Sequence, residues 1–130
     1  MGINAATLAL LTGKQELAQQ HAREVAAVCS GKLDHDKKDR YWLFATEGEA
    51  AIILDESSLN FYQSALGELS PGQWGMADSS YRQAIRLWRF FGADGDRRVG
   101  EVLKLFETSD AQDFLTRGFL GRNHQMPHRS

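Results

Sequence analysis

The stretch YWLFATEGEAAIIL, residues 41–54, carries apolar side chains around nearly the whole circumference of a helix. Glu47 and Glu49 are its main polar interruptions. A helix that is apolar on almost every side has to be covered by neighbours on more than one side. We therefore expect this stretch to form the central helix of the fold.

The residues before it predict two helices joined by a tight turn. Residues 3–12 are mostly good helix formers, with Asn4 as a candidate N-cap and Gly13 where a C-terminal glycine would lie. In residues 15–30 apolar side chains recur at three- and four-residue spacings, and Gly31 is the expected stop. Two helices separated by so short a turn form an antiparallel hairpin.

The residues after it predict more helices and almost no strand. A fourth helix ends before Pro71, a fifth covers residues 76–91, and a sixth covers about residues 97–107. A short seventh helix is expected to carry three apolar residues, Phe114, Leu115 and Phe119. No segment shows the alternation of apolar and polar residues, bounded by hairpin turns, that indicates a strand. The predicted fold class is all-α.

Composition narrows the class of protein. The 130 residues are 42% hydrophobic and 25% charged, which suits one globular domain. The formal net charge of -2 creates no overall attraction to nucleic acid or to an anionic membrane, so we expect neither as a partner. The single cysteine suits a reducing compartment, and the apolar run at residues 8–11 is too short to cross a bilayer. We expect a cytoplasmic protein without a secretory signal.

Two helices share one spacing of small or slim side chains. Ala18, Ala22 and Val25 are four and three residues apart, as they would be on any amphipathic helix. The spacing recurs in the fourth helix at Ser58, Tyr62 and Ala65. Small side chains let antiparallel helices approach closely, and a tyrosine can fill the gap to the next hairpin, as in stacked tetratricopeptide repeats. We expect antiparallel helical hairpins stacked as a short tetratricopeptide-like superhelix over residues 1–107, then a short C-terminal helix and flexible tail over residues 108–130.

Over about residues 2–91 the chain resembles the TRAFs-binding domain family. The resemblance lies in the residues and the order of four segments: GINAATLALLTG, YWLFATEGEAAIIL, NFYQSAL and YRQAIRLW. The resemblance implies a tetratricopeptide-like domain of the kind found in the regulatory region of apoptosis signal-regulating kinases and in bacterial multidomain proteins. It implies a fragment or distal part of a larger signalling or regulatory protein, in which Glu49 caps or pairs with a neighbouring helix. Gly48 departs from a good helix former, at a cost of about 1 kcal/mol unless a neighbour needs the clearance.

Six residues are candidates for binding a partner. Three arginines at i, i+4 and i+7 of the fifth helix form one ridge, and guanidinium groups bind carboxylates in a forked geometry; the alternative is a solvated helix face. These arginines are Arg82, Arg86 and Arg89. Alignment of the repeats adds three residues on the inner groove, Thr7, Arg40 and Glu47.

The sequence contains no motif for catalysis or metal binding. Glycine-rich phosphate loops, nucleophile elbows and zincin motifs are all missing. His124 and His128 would face one metal only on a helix, which the proline between them disfavours. A catalytic site would require a cleft that gathers Glu47, His21 and Tyr41 within hydrogen-bond reach of one point. We expect no enzyme activity, no cofactor and no metal.

The expected function is that of a non-catalytic helical-repeat module that binds a protein or peptide partner, an acidic one included, through a concave face. One alternative is a self-association element that forms a homo-oligomer. Another is an enzyme with an unrecognised site. Three tryptophans are expected in the core rather than in a ligand cage, namely Trp42, Trp74 and Trp88.

Overall fold

The protein is described by a computed structural model, which covers residues 2–34, 39–70 and 73–117. Within these ranges the chain is all-helical and contains no strand, as the sequence predicts. The helices run in chain order, with a short 3-10 turn at Gly92–Asp94 before the last: α1 Gly2–Leu11, α2 Gln15–Leu33, α3 Arg40–Leu54, α4 Leu59–Gly67, α5 Trp74–Phe91 and α6 Gly95–Arg117.

Several predicted helix ends are wrong. α1 begins at Gly2, so Asn4 lies inside the helix and is not its N-cap. Gly31 does not stop α2, which continues to Leu33. One glycine costs a helix only about 1 kcal/mol, which the packing of the remaining residues can offset. The predicted seventh helix is not separate, because α6 is one element through Arg117; Phe119 lies outside the described residues.

The turn between α1 and α2 has the geometry expected of Gly13. This residue adopts φ of 81°, a left-handed conformation that glycine reaches without steric cost. The amide of Gly13 donates to the carbonyl of Leu10 at 3.1 Å, and the amide of Lys14 donates to that of Ala9 at 2.8 Å. This pair of bonds is the Schellman motif, and it satisfies carbonyls that the helix end would leave unpaired.

α3 is the central helix of the first half of the chain. It packs against α1, α2 and α4, and eight of its fifteen residues are buried. At Gly48 a methyl group would lie 2.5 Å from the nearest atom of the Tyr62 ring. The packing explains why a poor helix former stands at position 48, because α4 can approach α3 this closely only where no side chain intervenes.

The described part of the chain divides into two compact units, with the boundary between residues 80 and 81. The first unit contains α1 to α4. In the second, the ring of Tyr81 on α5 lies 6.0 Å from that of Phe106 on α6. Its largest fully buried side chains are Tyr81, Leu87, Val99, Val102, Leu103 and Phe106. None of the described helices has the length and apolar character that a membrane span requires.

Candidate functional site

Arg82, Arg86 and Arg89 form what we call the basic stripe, in the second unit. All three side chains are exposed on α5, while Tyr81, Ala84 and Ile85 on the same helix are buried. The seven helical rises that separate Arg82 from Arg89 correspond to about 10 Å along the helix axis. The stripe therefore presents three guanidinium groups in a row toward solvent.

The arginines of the basic stripe form no ion pairs with the described residues. Arg86 Nη1 donates a hydrogen bond to Gln83 Oε1 at 3.0 Å, which leaves its charge uncompensated. Within the described ranges, Arg82 and Arg89 make neither a side-chain hydrogen bond nor an ion pair. Arg97, by contrast, donates to both oxygens of Asp94 at 2.7 Å. The stripe is thus free to bind an external anion.

Thr7 and Glu49 connect α1 to α3. Thr7 is buried, and its hydroxyl donates to Glu49 Oε2 at 2.6 Å. The expected pairing of Glu49 with a neighbouring helix is therefore present. The prediction that Thr7 lines an open groove is wrong. Its side chain faces α3 rather than solvent, and its hydroxyl is already bonded within the first unit.

Glu47 also lies inside the first unit rather than on an accessible groove. Its side chain is only 7% exposed. Oε1 is buried and has no hydrogen-bond partner among the described residues. Burial penalises the ionised form and raises the pKa of the carboxyl group. Glu47 is therefore a costly polar group in the core, and a partner could reach it only if the helices moved apart.

Arg40 is partly exposed and already has intramolecular partners. Its Nη1 donates to the carbonyl of Leu33 at 2.9 Å, and its Nε lies 3.4 Å from Glu68 Oε2. The guanidinium also lies over the ring of Phe44, 5.3 Å from its centroid. Arg40 therefore connects the end of α2 to α3 and to the residue after α4, which is sufficient reason for its presence.

An apolar groove of about 400 Å³ lies in the first unit, between α2 and α3 with the start of α1 at one end. Its apolar walls include Val28 on α2 and Trp42 on α3, which are 57% and 40% exposed. Polar residues at its edges are His21, Glu24, Lys32, Asp39 and Thr46. Apolar walls with a polar margin are typical of surfaces that bind other molecules.

Cys29 lies on the wall of this groove and is a free thiol. It is buried, and burial raises the pKa of the thiol. The carboxylate of Glu47 raises this pKa further, whereas the ammonium of Lys32 opposes the shift. Because the thiolate is the nucleophilic form, the environment of Cys29 disfavours reactivity.

The three residues considered for an enzyme lie in different surroundings. Tyr41 donates to Ser80 Oγ at 2.7 Å, and burial raises the pKa of its phenol to about 12. His21 Nδ1 lies 3.6 Å from Glu24 Oε1 at the edge of the apolar groove. Glu47 does not line that groove. In the described part of the chain these side chains do not converge on one point.

Two features of these surfaces differ from the sequence prediction. Trp42, expected in the core, is 40% exposed, because its neighbour Tyr41 occupies the buried position of this helix turn. The apolar groove was not predicted, since Val28 and Trp42 fall within helical apolar patterns that favour burial. Their assignment to a groove depends on how α2 and α3 pack, and a single sequence carries no signal for that.

Comparisons with models of protein families, with curated proteins and with solved structures gave no match for this chain.

Proposed function

We propose that the protein is a non-catalytic interaction module that binds an acidic segment of a partner protein through the basic stripe. The observation that carries the proposal is the row of three exposed arginines without ion-pair partners in the described ranges. Guanidinium groups hold carboxylates through charge-assisted, two-pronged hydrogen bonds. A partner with carboxylates about 5–6 Å apart, the spacing of i and i+4 side chains on a helix, matches the spacing of the stripe.

We also propose that α1 to α4 stack as two tetratricopeptide-like hairpins, as the likeness to the TRAFs-binding domain family implies. Ala18, Ala22 and Ala65 are fully buried in α2 and α4, which allows close helix approach. Tyr62, at the middle position of the second spacing, is buried against Gly48. In such a domain the chain would serve a signalling or regulatory protein by holding a partner, without making or breaking a bond.

Binding of a fluorescently labelled poly-glutamate peptide to the whole chain tests the acidic-segment proposal. Reversal of the stripe, with Arg82→Glu, Arg86→Glu and Arg89→Glu combined, is expected to weaken binding at least roughly tenfold. The matched control combines Lys14→Glu, Arg23→Glu and Lys104→Glu, three exposed positions outside the stripe. It changes the net charge equally and is expected to retain most of the affinity.

Two results would overturn this assignment. Equal loss of affinity in the two triple variants would show that only net charge matters. Tighter binding of a poly-thymidine oligonucleotide than of the peptide would make phosphate chains the preferred ligand, as for single-strand binding proteins. Circular dichroism of both variants checks that they remain folded.

A further inference from the structure

α2 carries a row of four side chains on one side, which we call the α2 ridge: Leu17, His21, Glu24 and Val28. Their spacing of four, three and four residues aligns them along the helix. Leu17 and Val28 are 41% and 57% exposed, although both are large apolar side chains. The residues that α2 buries lie elsewhere on its circumference, namely Ala18, Ala22 and Cys29.

The α2 ridge is self-complementary. Its order is apolar, histidine, glutamate, apolar. A two-fold axis through the point midway between residues 22 and 23 exchanges position 17 with 28 and position 21 with 24, because each pair is equidistant from that point. A surface in which residue i meets j and j meets i is what a symmetric dimer requires.

We propose that a second copy of this chain packs on the α2 ridge, with the two α2 helices antiparallel about this axis. Leu17 then meets the partner's Val28, and His21 meets the partner's Glu24, each contact occurring twice. At both ends of the contact the apolar pairs are removed from water on association, and the central pairs place a carboxylate opposite an imidazole. Each subunit covers the α2 edge of the other's apolar groove, which His21, Glu24 and Val28 also line.

The order of charged and apolar side chains favours this occupant. Within one chain, His21 already lies 3.6 Å from Glu24, so the dimer extends a contact that the monomer holds in place. The same axis places Gln20 opposite the partner's Val25 and Lys14 opposite the partner's Gly31, and neither of these pairs brings like charges together. Four apolar side chains in total make a small interface, which is typical of weak, reversible association.

Sedimentation equilibrium of the full chain over a concentration series is the first test. The wild type is expected to pass from monomer to dimer, and Leu17→Glu or Val28→Glu to raise the dissociation constant at least roughly tenfold. Leu8→Glu is the control, because Leu8 on α1 is 63% exposed and lies off the ridge. A monomer at every concentration, or equal weakening by the control, would overturn the proposal.

Charge exchange tests the central pairs. His21→Glu places two carboxylates opposite each other and is expected to weaken the dimer roughly fivefold. The exchanged variant, His21→Glu with Glu24→His, restores opposite partners and is expected to return the dissociation constant to within roughly twofold of wild type. Failure of the exchange to restore association contradicts the pairing of these two positions.

Disulfide formation tests the antiparallel register, in a Cys29→Ala background that removes the only native thiol. Leu17→Cys of one copy is expected to cross-link to Val28→Cys of another. Neither variant is expected to cross-link to itself, because identical positions lie about 16 Å apart along the axis, beyond disulfide reach. Cross-linking of either variant with itself as efficiently as with the other would contradict the proposed register.

Discussion

At the scale of single residues, α3 contains two side-chain positions that local propensity alone does not explain. Gly48 lowers helix propensity, and Glu47 places a carboxyl group in the core with Oε1 unpartnered among the described residues. From the sequence, Glu47 is a polar interruption of an apolar stretch, and Gly48 is favourable only if a neighbouring helix needs the clearance. The sequence did not identify the ring of Tyr62 as the neighbour or show that Glu47 is buried, because these depend on helix packing.

Gly48→Ala is expected to destabilise the protein by about 2 kcal/mol, as overpacking of a core does. The new methyl group would lie 2.5 Å from Cε2 of Tyr62, and the ring is buried and cannot swing away. Urea unfolding followed by circular dichroism measures the effect. A variant as stable as wild type would show that α4 can shift away from α3 without cost.

Glu47→Gln is expected to stabilise the protein at pH 8 by about 1 kcal/mol or more, because it removes a buried charge. Burial raises the pKa of the Glu47 carboxyl group above its ordinary value of 4.5, so the folded state favours the protonated form. The wild type therefore has its full stability below pH 4.5 and loses part of it as the pH rises through the folded-state pKa. The difference between variant and wild type should therefore shrink toward zero below pH 4.5.

Urea unfolding at a series of pH values measures the Glu47 effect. Glu101→Gln, at an exposed position of α6, removes the same charge and serves as the control. A wild type that is more stable than Glu47→Gln at pH 8 would show instead that the carboxylate has a stabilising partner.

At the scale of elements, the first six helices and their order could be predicted, whereas several helix ends and the separate seventh helix were wrong. The 3.6-residue periodicity and the glycine at position 13 correctly predict α1, α2 and the turn between them. Gly31 resembles Gly13 in the sequence yet lies within a helix. The difference is one of backbone conformation, which is set by where the chain must reverse direction to pack.

The two glycines provide a matched pair of substitutions with opposite expected signs. At both positions a methyl group would meet no atom within 4 Å, so packing does not contribute. Gly13→Ala is expected to destabilise by about 1 kcal/mol, because alanine is strained at φ of 81°. Gly31→Ala is expected to stabilise by up to about 1 kcal/mol, because alanine favours the helix. Thermal unfolding of both variants measures the signs, and equal signs would contradict the described turn.

At the scale of the whole molecule, the two units contribute different surfaces. The first unit offers the apolar groove and the α2 ridge, and the second offers the basic stripe. Of these, the sequence identified the stripe, because spacing alone places three arginines on one side of a helix. It placed Thr7, Arg40 and Glu47 on a groove, whereas all three are held by intramolecular contacts or burial.

Nuclear magnetic resonance can locate the residues at which an acidic partner binds and so tests the proposed role of the basic stripe. Poly-glutamate peptide is titrated into the ¹⁵N-labelled full chain, and the shift of every backbone amide is followed. If the basic stripe binds the peptide, the largest shifts cluster on α5 between Arg82 and Arg89 and weaken as salt is added, as expected for exposed charges. Shifts centred on the apolar groove, or spread evenly over all exposed basic residues, would contradict binding at the stripe.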